Sequence, residues 1–164
     1  MDEPKDELNS PEPDARTAQK VPLKNRRAVD EALAYWEWLK GPRDFPSAGE
    51  IDPMRIPGIW RHAFVVDLAE AIPDSVVSRT GSKLREFCGS NPRGKRIADC
   101  LPPEIRAHMV ALIEMATNTK HPAMESGTAG EAETLAYRLA VMPLSDDGTR
   151  IDRMLGILNF TQKT

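Results

Sequence analysis

The sequence predicts an α+β domain: a five-stranded antiparallel sheet with helices on one face and an amphipathic helix on its N-terminal side. Three observations lead there. Segments with strand character fall two before and three after a long helical stretch. Helical periodicity is clearest over 23–40 and from 103 to about 118. Turn residues, namely Gly41-Pro42, Gly81, Gly89 and Asp146-Asp147-Gly148, punctuate these segments.

Leu23–Lys40 opens the folded part. Val29, Leu33, Trp36 and Lys40 recur at helical spacing, with Ala32, Tyr35 and Leu39 beside them. Arg26, Arg27, Asp30, Glu31 and Glu37 lie mostly elsewhere on the wheel. Gly41-Pro42 stops this helix, a capping glycine followed by a helix breaker. Residues 41–59 form a connection with one helical turn at 53–59, opened by Asp52 before Pro53. Ala63–Leu68 and Ser75–Thr80 are rich in the β-branched and aromatic residues that strands favour. Ser82 opens a short helix with Leu84, Phe87 and Cys88 on one side and Gly89 at its end. Pro102-Pro103 precedes the long helix, whose apolar stripe is Ile105, Met109, Leu112 and Met115 or Ala116. Strands are expected at about 121–129, 132–143 and 151–161, the last two joined by the Asp146-Asp147-Gly148 turn. In the middle one, Leu135, Tyr137, Leu139 and Val141 alternate with smaller or polar residues. In the last, Met154, Gly156, Leu158 and Phe160 share one parity and Leu155 and Ile157 the other.

Composition narrows the classes of function. The 164 residues are 40% hydrophobic and 29% charged, ordinary for a globular chain. The net charge of −3 gives no basic excess, so a nucleic-acid partner is not expected. No run approaches the roughly 18 apolar residues of a membrane span. The start, MDEPKDELNS, is acidic and unlike a secretion signal. Residues 1–22 hold four of the fourteen prolines and six acids against three bases, the composition of a disordered acidic tail. The expected organisation is that tail, an amphipathic helix at 23–41 and a sheet domain at 42–164. Two cysteines are too few for a disulfide scaffold, so reduced thiols and a cytoplasmic setting are expected.

Catalytic signatures are absent from the sequence. No serine sits in a Gly-x-Ser-x-Gly elbow, and there is no GxGxxG or phosphate-binding loop. Cys88 and Cys100 have eleven residues between them and no CxxC spacing, so neither zinc nor redox chemistry is expected. Arg79, Lys83, Arg85, Arg93, Lys95 and Arg96 form a basic cluster interrupted only by Glu86. Arg79, Arg93, Lys95 and Arg96 are therefore candidate anion ligands, against the plainer alternative of a solvated face. In the first helix, Tyr35, Trp36, Trp38 and Leu39 are candidate interface residues, because aromatic anchors dominate interface energetics. The alternative is that this helix folds back on its own sheet.

The element order comes with recognisable segments: Tyr35-Trp36-Glu37-Trp38-Leu39, Phe45-Pro46-Ser47, Glu50-Ile51-Asp52-Pro53, Phe64-Val65-Val66-Asp67, Ser78-Arg79-Thr80-Gly81-Ser82 and Gly94-Lys95-Arg96. Over about residues 30–162 the chain resembles the PAS domain, in the form of the short single-PAS proteins common in alphaproteobacteria. The resemblance implies a sensory or protein-interaction module and no enzyme. PAS domains hold small molecules between sheet and helices, or pair with proteins through the sheet and flanking helices. Phe87, His108, Leu112 and Met115 are then candidate pocket residues. The resemblance also raises haem ligation by His108, on the long helix. One histidine with no supporting partner legible in the sequence is a weak metal site, so no cofactor is expected. The function expected is a non-enzymatic cytoplasmic signalling module acting through contacts with a second copy or another signalling protein. The alternative is a sensor of an unidentified small molecule.

Overall fold

The computed structural model describes residues 23–130, 132 and 135–162. The acidic segment 1–22, expected to be a disordered tail, lies outside the described residues. The elements in order are α1 (Leu23–Lys40), 3-10 turns at Ala48–Glu50 and Pro53–Arg55, α2 (Pro57–Trp60), β1 (Ala63–Asp67), a 3-10 turn at Ile72–Asp74 and β2 (Val76–Thr80). Then come α3 (Ser82–Cys88), α4 (Ile97–Cys100), α5 (Pro103–Thr119), β3 (Ala123–Ala129), β4 (Leu135–Leu144) and β5 (Arg153–Gln162). The strands form one antiparallel sheet in the order β2-β1-β5-β4-β3. The last strand is thus the central one, joining the hairpin made before the helices to the hairpin pair made after them.

Alternation along the strands divides the side chains between two faces. The inner face carries Phe64 and Val66 of β1, Tyr137, Leu139 and Val141 of β4, and Met154 and Leu158 of β5. These pack with Leu84 of α3, Ile97 of α4 and Ile105, Met109, Leu112, Ile113 and Ala116 of α5. Gly156 decides how closely this face packs. It stands opposite Phe64 in the β1–β5 register. A Cβ at Gly156 would overlap the Phe64 ring, so the missing side chain is what lets the ring lie flat on the central strand.

The outer face is apolar too. Ala63, Val65, Ala140, Met142, Leu144, Leu155 and Ile157 all point there and are buried. Helices on the inner face alone cannot cover them. Val29, Ala32 and Trp36 of α1 do so, together with Phe45, Ala48, Ile51 and Ile56 of the following connection. Helical cover therefore lies on both faces, with α1 and the short α2 (through Ile59 and Trp60) on the outer one.

Trp36 holds this layer in place. It is 1% exposed, and its indole N–H donates to the Pro143 carbonyl at 2.8 Å. The β3–β4 ladder ends at Ala123 opposite Val141, so Pro143 lies two residues beyond it. The connection is tied down as well. Ser145 N–H donates to the Pro46 carbonyl at 2.9 Å, and the Arg79 guanidinium donates to the carbonyls of Ala48 and Ile51, each at 3.2 Å.

The β2 edge is occupied. Gly94 N–H donates to Val77 O, Val77 N–H to Lys95 O, and Ile97 N–H to Ser75 O. This return of the 94–97 segment satisfies backbone groups that an edge strand otherwise leaves open.

Truncating Trp36 removes a large buried side chain and orphans a buried carbonyl. Trp36→Ala should lower unfolding free energy by about 3–5 kcal/mol in urea denaturation. Trp38→Ala, at a position 68% exposed, should change it by no more than about 0.5 kcal/mol. Equal losses at the two positions would contradict this packing.

Candidate functional site

The polar centre of the inner side is built from α5, β3 and β4. On β3, Ala123, Glu125, Gly127 and Ala129 share one parity, which places a carboxylate among small residues facing α5. Gly127 stands opposite Tyr137 in the β3–β4 register. A Cβ there would lie 3.3 Å from the Tyr137 hydroxyl, so the glycine gives the phenol a clear path across β3. The Tyr137 hydroxyl donates to Glu125 Oε2 at 2.5 Å. His108 Nδ1, from α5, lies 2.5 Å from the same oxygen, and its ring is 5.6 Å from that of Tyr137. Burial pushes the Tyr137 phenol well above the usual tyrosine range, and its bond to the Glu125 carboxylate pushes it further. Tyr137 therefore stays a proton donor. The three residues form a polar latch that joins α5 to the β3–β4 hairpin at the rim of the core. Sequence reasoning missed Glu125 and Tyr137; the signal available was an acid at an inward position of a strand.

The four pocket candidates do not gather around one space. Leu112 is buried in the interior, and Phe87 packs on Phe160 with ring centroids 4.7 Å apart. His108 sits at the rim with its side chain 44% exposed, held by Glu125. Met115 is 54% exposed and points away from the core. The stripe of α5 runs from Ile105 to Ala116, eleven residues or about three turns apart, and Met115 falls outside it.

The interface candidates also separate. Trp36 is a core residue of the outer layer, which removes it from any surface. Leu39 and Tyr35 are half-buried against that layer, and the Tyr35 hydroxyl accepts a bond from Asp52 N–H at 3.2 Å. Trp38 alone of the four projects outward, stacked on Tyr35 at 6.1 Å between ring centroids.

The anion candidates are dispersed. Arg96 is paired with Asp74 at 2.7 Å and Asp99 at 2.8 Å. Arg79 is committed to the two carbonyls named above, and its guanidinium lies 5.1 Å from the Trp60 ring centroid. Lys95 reaches Ser90 Oγ at 3.4 Å, and Arg93 is exposed. Arg79 does border an open cleft of about 420 Å³ with Ser78, Asp67, Asp146 and Arg153. Its charges largely neutralise one another, since Arg153 pairs with Asp67 at 2.9 Å and Asp146 at 2.5 Å.

Cys88 and Cys100 are both half-buried and unbridged. Among the described residues no group of three or more His, Cys, Asp or Glu side chains is placed to hold a metal ion.

A family model described as "PAS domain" matches residues 24–159. The chain belongs to the PAS domain family. The match takes in nearly all of α1, so the helix on the outer face counts as part of the domain. Among solved structures, a sensory box sensor histidine kinase from Vibrio cholerae is 15% identical, with 68% of this chain and 92% of that one covered and a TM-score of 0.46. A domain of a light- and redox-sensing histidine kinase described as putative, from Haloarcula marismortui, is 13% identical over 66% and 97%, with a TM-score of 0.45. A light-oxygen-voltage domain studied with a flavin analogue is 13% identical over 66% and 83%, with a TM-score of 0.48. No curated protein matches the chain. PAS domains are typical modules of signalling and sensory proteins, and this one shares their five-stranded sheet. No helix among the described residues is long and apolar enough to cross a membrane.

His62 gives this PAS domain a measurable pH response. It lies in the turn between α2 and β1, where its carbonyl accepts from Leu158 N–H at 3.0 Å. Its Nδ1 is shielded and has no hydrogen-bond partner. Burial lowers its pKa from the usual 6.5 to about 4, with the charges of Arg61 and Lys83 acting in the same direction. The unfolded chain thus takes up this proton first as pH falls. Stability contributed by neutral His62 is fully present above about pH 6.5 and is lost progressively towards pH 4. In urea denaturation, wild type should lose more stability between about pH 7 and about pH 5 than His62→Gln does. An equal loss in the two proteins would contradict a neutral, shielded His62.

Proposed function

We propose that this PAS domain is a non-enzymatic cytoplasmic signalling module that works by protein contact, pairing with a second copy through the outer surface of α1. The observation that carries this is Trp38. It is a large aromatic, 68% exposed, held by stacking on Tyr35, on a helix whose other side is anchored to the sheet. Fixed, amphipathic aromatics of this kind supply much of the energy of protein interfaces. The sequence of the exposed side supports self-pairing. Arg27, Glu31, Ala34 and Trp38 are all exposed and recur at helical spacing. In an antiparallel two-fold pair, Arg27 of one copy lies near Trp38 of the other, a favourable cation–aromatic contact, and small Ala34 allows close approach. The cytoplasmic setting rests on the two unbridged cysteines.

A ligand-sensing role has one observation in its favour, the His108–Glu125–Tyr137 cluster between α5 and the sheet, where polar groups could respond to a small molecule. Native mass spectrometry of the purified protein separates the two roles, because it records both assembly and any retained molecule.

Trp38→Glu should convert a wild-type dimer to monomer in sedimentation velocity and leave the thermal midpoint nearly unchanged. A wild type that stays monomeric at all accessible concentrations, or a dimer indifferent to Trp38→Glu, would overturn the α1 interface.

A further inference from the structure

α1 packs over β4 and β5, and part of the outer face of β1 and β2 opens instead into the cleft of about 420 Å³. Val65 forms its floor, and Ala48 and Gly49 of the connection form a low wall. A fault in the β1–β2 ladder shapes this floor. Val65 pairs with Arg79, but Val66 pairs with Val77, so Ser78 is an extra residue. Val77 faces the inner core, and by strict alternation Arg79 would face inward too. The bulge turns Arg79 outward beside Val65. Bulges commonly re-aim a side chain in this way beside a functional site.

Two guanidinium groups, Arg79 and Arg153, and two carboxylates, Asp67 and Asp146, border the cleft. They are sorted by sign. Arg79 has no carboxylate partner among the described residues. It spends two of its five N–H donors on the carbonyls of Ala48 and Ile51. The acids gather on the other side, around Arg153. That guanidinium bonds one oxygen of Asp67 at 2.9 Å and one oxygen of Asp146 at 2.5 Å, and each carboxylate keeps a second oxygen. Asp152 Oδ1 lies 3.8 Å from the same guanidinium, shielded and without a hydrogen-bond partner. Three carboxylates thus draw on one guanidinium, and this side is short of a cationic donor. The two sides are close. Arg79 pairs with Val65 and Arg153 with Asp67, and these are successive outward residues of β1, roughly 7 Å apart along the strand.

We propose that this outer-face cleft binds a free amino acid, with its carboxylate on Arg79 and its ammonium on the second oxygens of Asp67 and Asp146. A simple anion is repelled by the acids, and a simple cation by the two guanidinium groups. A molecule that carries both charges a short distance apart meets a partner at each end. A peptide terminus brings only one of the two. With an ammonium against Asp67 and Asp146, Arg153 is free to close the gap to Asp152, so binding also relieves the unpaired oxygen. The ligand side chain rests on Val65 and Ala48. This site is on the opposite face of the sheet from the His108–Glu125–Tyr137 cluster and stands apart from the exposed stripe of α1.

The test titrates the full chain with each common L-amino acid singly, read by calorimetry and by amide NMR shifts. At least one should bind saturably at a single site per chain, with shifts concentrated at residues 48–49, 65–67, 78–79 and 146–153. The same amino acid with its carboxylate amidated, or with its amine acetylated, should bind about tenfold more weakly or worse, because each loses a charge-assisted contact. Asp67→Asn and Asp146→Asn should weaken binding by a similar factor. A Cβ at Gly49 meets nothing within 4 Å, so Gly49→Leu adds bulk at the cleft wall while keeping every ion pair, and it should weaken binding as well. The proposal is overturned if no amino acid binds saturably, if both blocked derivatives bind as well as the parent, or if the shifts fall on α5 and β3. It is also overturned if Asp67→Asn and Asp146→Asn, folded by their amide spectra, bind like the wild type. The derivatives are tested on the wild-type protein, so that result stands even if a variant fails to fold.

Discussion

Trp36 and Pro143 are 107 residues apart in sequence, and the hydrogen bond between them fastens the first helix to the far end of the sheet. The rest of the structure depends on this closure. β1, β4 and β5 carry apolar side chains on both faces, so a sheet covered only by α3–α5 would leave a broad apolar surface in water. At about 25 cal/mol per Å² of apolar area, covering that surface is among the larger stabilising terms open to a domain of this size. α1 and the 45–56 connection supply the cover. With α1 in place, much of the outer face of the sheet is covered, and that side presents the outward surface of α1, with Trp38 near its C-terminal end, and the open cleft bordered by Arg79 and Arg153.

The strands along the chain and the main helices were legible because their signals are local, whereas the order of the strands in the sheet was not. The long helix was legible from the spacing of Ile105, Met109 and Leu112, and the last two strands from alternation about the Asp146-Asp147-Gly148 turn. Cover on the second face was legible only indirectly. Leu155 and Ile157 occupy one parity of β5 while Met154 and Leu158 occupy the other, and a strand apolar on both parities is buried on both sides. The sequence reading nevertheless set helices on one face and Trp36 at an interface, because that pattern calls for cover on the second face without saying which segment supplies it. Met115 was misplaced for a simpler reason. Ten and eleven residues along a helix differ by 100°, which decides between solvent and core.

Site residues were harder to read, because their chemistry comes from pairings across the fold. Glu125 gains its meaning from Tyr137 on the neighbouring strand and His108 on α5, and no local pattern links the three. The basic cluster read as one surface, yet Arg79 turns to the carbonyls of Ala48 and Ile51 while Arg96 turns to Asp74 and Asp99. The His108–Glu125–Tyr137 cluster thus lies on the inner side, at the junction of α5 with the sheet, and the exposed Trp38 on the outer side. The central strand β5 touches both layers, through Phe160 and Leu158 on one face and Leu155 and Ile157 on the other.

The central claim is that α1 is an integral layer of the domain and shares its cooperative unfolding. Native-state amide hydrogen exchange, resolved along the chain, tests it most directly. If the outer layer is integral, amides from Ala28 to Leu39 exchange with the same opening free energy as those in the centres of β4 and β5, and they lose protection together as denaturant is added. If instead α1 exchanges with a much smaller opening free energy while β4 and β5 stay protected, the helix leaves the sheet on its own, and the account of Trp36 as the closing contact of the fold is wrong.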